Sequence, residues 1–343
     1  MTARGAGVDS GVRAERLHAV LQERFWSPQH QLFRIGEGRP VRRFGPWHHW
    51  WQSHALAALL DRHDRTGDPA AADQAELLVE GMRRRGRGLV NEFHDDMGWL
   101  ALELLRMPGH DADVRTLLAA IRQGRAGQGG ISWSTQQPTF HNTPATGPAA
   151  LLALRLGQRT ADDDLLGWGL ALVAWLEETL VAPGGEVYDG QWLNADGSTS
   201  IERAQYSYNY GLVVGAELAA HRVTGLVAHR DRAELVASSG LRRFTDPATG
   251  AWRSEGRGDG ALFRAILARN LADLALATGD PSLAASVRCQ ADAVWQSCDG
   301  GPVGYDWPRP GRHAVDLSEH LCGLLVVEAA ARLDRELGLL GPG

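Results

Sequence analysis

The 343-residue sequence predicts an all-α fold, an (α/α)6 barrel of six helical hairpins with long aromatic loops on one face. Three observations predict it. Apolar residues recur with helical period along most of the chain. The turn Thr-Gly-Asp-Pro occurs twice, at residues 66–69 and 278–281. Six long, glycine-rich, aromatic stretches alternate with the helical sequence: 25–51, 87–94, 124–146, 181–205, 244–258 and 298–315.

In residues 52–66, QSHALAALLDRHDRT, Ala55, Leu56, Leu59 and Leu60 share one face and charges occupy the other. The turn that follows has the chemistry to end one helix and start the next. Gly67 suits a left-handed C-terminal residue, Asp68 caps, and Pro69 fits a first helical turn. Weaker versions are expected at 107–110, 157–160 and 223–226. The long stretches should each feed a helix starting near Gln52, Asp95, Gly147, Tyr206, Asp259 and Asp316. Units circling an axis would put all long loops on one face and all tight turns on the other. An open α-solenoid is the rival, but its repeats rarely carry long aromatic loops throughout. Strand signals are confined to pieces such as GGEVYDG, 184–190, expected as a hairpin at the loop face. With no linker in sight, one domain over 1–343 is expected, with residues 1–10 and 338–343 disordered.

Composition narrows the function. Net charge is −6 without a basic tract, which speaks against nucleic acid and anionic membrane as partners. All 35 basic residues are arginine, so lysine Schiff-base chemistry is impossible. Cys289, Cys298 and Cys322 lack C-x-x-C spacing and read as small buried apolar residues in a reducing compartment. The first twenty residues lack a secretory apolar run and no stretch approaches transmembrane length, so a cytoplasmic location is expected.

Of twelve tryptophans, Trp26, Trp47, Trp50, Trp51, Trp133, Trp192, Trp252 and Trp307 lie in the long stretches. Each could plug a barrel rim as a satellite core. As a set they suit a cleft that stacks on flat apolar faces, and sugar rings fit best. Their C–H faces meet the π-systems, while hydroxyls meet the polar groups of HNTPATG, VYDGQWLN and YSYNYG.

In NEFHDDMGW, 91–99, Asp95 and Asp96 stand side by side at a loop-to-helix junction on the aromatic face. A cap and a first-turn acid explain one of them well and both less well. Two carboxylates flanking one bond are what a retaining glycosidase needs. Asp189, Asp259, Asp306 and Asp316 also lie on the loop face and could bind hydroxyls or replace either acid. Asp162, Asp163 and Asp164 follow a tight turn and read as a solvated cap cluster. In PWHHWWQSH, 46–54, His48, His49 and His54 lack a matching acid spacing, so no metal is expected.

The ordered series NEFHDDMGWLALELLR, GGISW, GPAALLALRL, VYDG, YSYNYGLVVGA and DGALFRAILARNLA, spanning about Trp50 to Trp295, resembles glycoside hydrolase family 76, bacterial α-1,6-mannanases with an (α/α)6 barrel. The resemblance implies retaining hydrolysis of α-mannosidic, α-1,6 linkages without a cofactor, with Asp95 as nucleophile and Asp96 as general acid/base. It also implies that Trp99, Trp133, Tyr208, Asn209, Asp259 and Gly260 line the cleft. Trp50, Trp51, Asn91, His94, Asn142 and Asp189 are expected to contact substrate with them. His141, Thr146 and Tyr210 depart from the resemblance, which leads one to expect Lys, Asn and Gln there. The expected partner is an α-mannooligosaccharide, and the expected state a monomer or weak homodimer. Alternatives are a sugar epimerase using His48 or His49, and a non-catalytic glycan-binding protein.

Overall fold

A computed structural model describes residues 9–41, 45–125, 127, 129–311 and 314–338. Among these residues lie twelve α-helices. The first six are α1 (Ser10–Phe25), α2 (His49–Thr66), α3 (Pro69–Gly86), α4 (His94–Leu104), α5 (Asp111–Gln123) and α6 (Thr143–Thr160). The rest are α7 (Asp163–Leu180), α8 (Ser207–Thr224), α9 (Val227–Phe244), α10 (Asp259–Thr278), α11 (Pro281–Cys298) and α12 (Leu317–Glu336). Strands β1 (Trp26–Ser27) and β2 (Leu32–Phe33) pair in one hairpin. Strands β3 (Ser132–Ser134), β4 (Gln137–Asn142), β5 (Gly190–Leu193) and β6 (Thr199–Glu202) form an antiparallel sheet in that order. The chain divides into two compact units, Met1–Trp47, Ala58–Glu76 and Asp246–Gly343 in one, His48–Ala57 and Leu77–Thr245 in the other.

In the first unit the repeated turn behaves as its residues dictate. Gly67 and Gly279 both have left-handed φ, 69° and 72°. The Asp68 carboxylate accepts from the Ala70 amide at 3.0 Å, and that of Asp280 accepts from the Ser282 amide at 2.7 Å. The sixth hairpin is assembled from the two ends of the sequence. His18 of α1 meets Glu328 of α12 at 2.8 Å, both buried, and Arg65 joins Glu328 at 2.9 Å and Glu15 at 2.7 Å. Asp9 caps α1 through the Gly11 amide and Ser10 opens that helix, so the disorder expected there does not extend to these two residues. Gly338 likewise closes a turn on Arg335. Residues 1–8 and 339–343 of that expectation lie outside the described residues. Arg264 is fully buried, lies 3.6 Å over the Trp307 ring and donates to the Trp252 carbonyl at 3.2 Å.

The second unit packs its helices through small residues. A Cβ at Gly98 of α4 would stand 2.7 Å from that of Pro148 in α6, and one at Gly147 would stand 2.9 Å from Leu212 in α8. Gly157 lies inside α6 against Leu166, so the expected turn at 157–160 falls later, at Ala161, and Asp162 caps α7. The expected hairpin at 184–190 is displaced as well. That segment turns through Gly184 and Gly185 and bridges Val187 to Val181, whereas the paired strands are β5 and β6. Gly185, at φ 85° and pressed on Leu235, turns the chain before pairing can start.

Candidate active site

All of the described chemistry around Asp95 and Asp96 lies in the second unit. The chain enters α4 through Asn91, whose side-chain oxygen accepts from the Phe93 amide at 3.0 Å, an Asx turn that orders the approach. Phe93 occupies the cap position and has no capping side chain, and both aspartates fall in the first helical turn. Asp95 supplies part of the missing cap, because its Oδ1 accepts from the Asp96 amide at 2.9 Å. Its other oxygen, Oδ2, accepts from the Trp133 indole N–H at 3.1 Å.

Asp96 has different surroundings. It is 9% exposed, and its Oδ2 accepts from the Asn91 side-chain amide at 2.7 Å. His49 Nδ1 stands 3.9 Å from the same oxygen. Burial pushes the His49 pKa down to about 4, against an opposing hydrogen bond with the Leu89 backbone. At neutral pH that ring brings no positive charge to Asp96. Two adjacent carboxylates are thus held differently, one half-buried on two N–H donors and one buried beside a neutral imidazole.

Around them, Trp133 packs on Phe93 with centroids 5.1 Å apart. His54 lies between two tryptophans, 5.5 Å from Trp50 and 5.0 Å from Trp99. A second group joins three expected residues. Asn209 donates to Asp189 at 2.9 Å, and the half-buried Tyr208 bonds to Asp189 as well. Burial raises the Asp189 pKa and Asn209 draws it back, while the charge of Glu202 pushes it further up.

Other residues expected to contact substrate also have contacts within the fold. Trp51 is buried and stacked on His48 at 3.9 Å. His94 is buried with Nδ1 on the Ser132 carbonyl at 2.7 Å, and its ring fills the space beside Gly124, so it ties α4 to β3. Asn142 caps α6 through the Ala145 amide at 3.1 Å. Asp259 and Gly260 open α10 in the first unit, where Asp259 is exposed and Gly260 sits against the Glu255 carbonyl with no room for a side chain. Trp252 and Trp307 belong to that unit's core, and Trp26 packs on Phe33. Asp316 starts α12 and faces Arg257 and Arg39.

The three departures are also interior. Tyr210 is fully buried between Gly240 and Phe244 and donates to Gln205 at 2.6 Å. Thr146 accepts from the Ile131 amide at 3.0 Å, and His141 is buried on β4. Cys289, expected to be buried, is exposed. Sequence reasoning missed His49 as the neighbour of Asp96 because nothing in PWHHWWQSH says which histidine turns inward.

A family model described as glycosyl hydrolase family 76 matches residues 25–336. The GH76A α-1,6-mannanase of Salegentibacter sp. HEL1_6 superposes with a TM-score of 0.88 at 32% identity, covering 95% of this chain and 100% of its own. An inactive variant of that enzyme, with two consecutive aspartates replaced by asparagine, is in complex with α-1,6-mannotriose (31% identity, TM-score 0.88, 95% and 100% covered). A mannan endo-1,6-α-mannosidase of Candida glabrata is 24% identical over 87% of this chain and 76% of its own. The mannosidase Bt3792 of Bacteroides thetaiotaomicron shares the fold at 17% identity and a TM-score of 0.84, with 96% and 99% covered. The fold is the (α/α)6 barrel that the sequence predicts. Twelve helices in order, the adjacent aspartates and a match over most of the length lead to one conclusion: the chain belongs to glycosyl hydrolase family 76.

Proposed function

We propose that this protein hydrolyses α-1,6-mannosidic linkages with retention of configuration, using Asp95 as nucleophile and Asp96 as general acid/base. The observation that carries the reading is the unequal setting of the two carboxylates. Asp95 is held by the Trp133 indole and the Asp96 amide, donors that favour an ionised, oriented oxygen. Asp96 is buried next to an imidazole that stays neutral, and Asn91 fixes its orientation. Similarity to α-1,6-mannanases supports the choice of linkage.

In the first step an Asp95 oxygen bonds to the anomeric carbon as the glycosidic C–O bond breaks, and the Asp96 proton passes to the departing oxygen. In the second, water gives its proton to Asp96 and its oxygen to the anomeric carbon, releasing Asp95 and a sugar of the original configuration. Asp189, held by Asn209 and Tyr208, is part of the reading as an acceptor for sugar hydroxyls. A cytoplasmic location also belongs to it, supported by three unpaired cysteines, and cell fractionation tests that part.

The test is cleavage of α-1,6-mannooligosaccharides, with the product anomer followed by NMR. Wild type should release the α-anomer first, and Asp95→Asn and Asp96→Asn should each lose at least about a hundredfold in kcat. Undiminished cleavage in either variant would overturn that residue's role. Solvent proton exchange into free sugar without cleavage would favour an epimerase, and binding without turnover a lectin-like protein.

A further inference from the structure

In the second unit α5 and α7 both pack on α6, and together they line a groove of about 590 Å³. Arg122, in the last turn of α5, and Arg125, just beyond it, form one side. Asp164, Gly167, Trp168 and Ala171, from the first turns of α7, form the other. The volume is that of a small-molecule site. None of these six residues belongs to the group around Asp95 and Asp96.

Three observations point to a ligand here. The first is unspent charge. Arg83, Arg106, Arg159 and Arg232 of this unit each meet an acid. Arg122 and Arg125 meet none among the described residues, although Asp164 lines the same groove. Arg122 lies instead over the Trp168 ring, 4.6 Å from its centroid. Stacking holds a guanidinium in place and leaves the N–H donors along its edge unused. The second is a glycine that packing does not require. A Cβ at Gly98, Gly147, Gly157 or Gly169 would stand 2.9 Å or less from a neighbour, whereas one at Gly167 would meet nothing within 4 Å among the described residues. Glycine weakens a helix interior, and here its missing side chain keeps the groove open. The third is the indole N–H of Trp168, buried without an acceptor among the described residues.

We propose that this groove binds a phosphorylated monosaccharide, its phosphate on Arg122 and Arg125 and its ring beside Gly167, at a site separate from the aspartate pair. Phosphate suits two unpaired guanidinium groups, because it offers three terminal oxygens and close to two negative charges. Asp164, across the groove, repels a second anion and accepts from hydroxyls, so the rest of the ligand is neutral and hydroxylated. The site stands whether or not the aspartate pair cleaves mannosides.

The experiment is calorimetry on the full chain at low ionic strength, with mannose 6-phosphate, mannose, inorganic phosphate and glucuronate as probes. Mannose 6-phosphate should bind one to one and more tightly than the other three. Arg122→Ala and Arg125→Ala should each weaken it about tenfold, the worth of a charge-assisted hydrogen bond. Gly167→Leu fills the groove from the opposite side without touching either arginine, and should abolish binding with the thermal midpoint retained. Binding that survives Gly167→Leu places the sugar phosphate elsewhere and overturns the proposal. Inorganic phosphate that binds as tightly removes the sugar from it, and glucuronate that binds as tightly removes the phosphate; each overturns it as stated. The absence of any heat with mannose 6-phosphate, confirmed by unchanged tryptophan fluorescence, overturns it outright.

Discussion

Asn91 performs two tasks with one amide: its oxygen shapes the approach to α4 and its nitrogen orients Asp96. Asn91→Ala should lower kcat by about 10- to 100-fold, the worth of a hydrogen bond that orients the general acid/base, with the fold intact by circular dichroism. Trp133→Phe removes the donor on Asp95 while leaving the ring packed on Phe93, and should lower kcat by about tenfold without a matching rise in KM. The aspartate pair was legible in the sequence because two acids with no neighbouring base need an explanation beyond capping. What distinguishes the two was not legible. Their partners arrive from Trp133, 38 residues away from Asp95, and from His49 on another helix.

At the scale of elements, helix starts were readable because loop chemistry changes abruptly there. The start expected near Asp95 falls at His94, that near Tyr206 at Ser207, and that at Asp259 is met. Strands were not readable: Gln137–Pro138–Thr139 and most of β6 are exposed and polar, without the alternation that marks a half-buried strand. Nor could the sequence divide the tryptophans, since Trp192 and Trp252 sit in similar glycine-rich company yet one is half-buried and the other in the core. The close approach of α4 and α6 gives a prediction at this scale. Gly98→Ala places a methyl 2.7 Å from the Pro148 Cβ, and neither backbone can yield easily. It should destabilise by about 1–3 kcal/mol, read as a lower calorimetric Tm.

For the molecule as a whole, stability should carry a pH signature from Glu217. This α8 side chain is 1% exposed and bonded to His229 of α9 at 2.7 Å, with Glu177 and Arg232 also acting on it. Burial raises its pKa to about 7, His229 pulling it back and Glu177 adding to the rise. A carboxyl with a raised folded pKa takes up protons on folding, so its contribution is full below about 4.5 and is lost as pH rises through about 7. His49 and His320, both pushed down to about 4 by burial, act in the opposite direction as pH falls below 6.5. The clean measurement is therefore a difference: between pH 4.5 and 7, Glu217→Gln should gain on wild type in denaturant midpoint as pH rises. A difference that stays flat across that window removes Glu217 as the source. The pairing of α1 with α12 bears on how the chain reaches this state at all. The buried His18–Glu328 contact joins residues 310 apart in sequence. On a ribosome, His18 emerges 310 residues before Glu328, so closing that hairpin is a late, entropically costly step. A permutant in which a linker joins the end of α12 to the start of α1, and which opens at the turn around Gly225, would turn this contact into a local one. It should refold faster than the natural order in stopped-flow fluorescence.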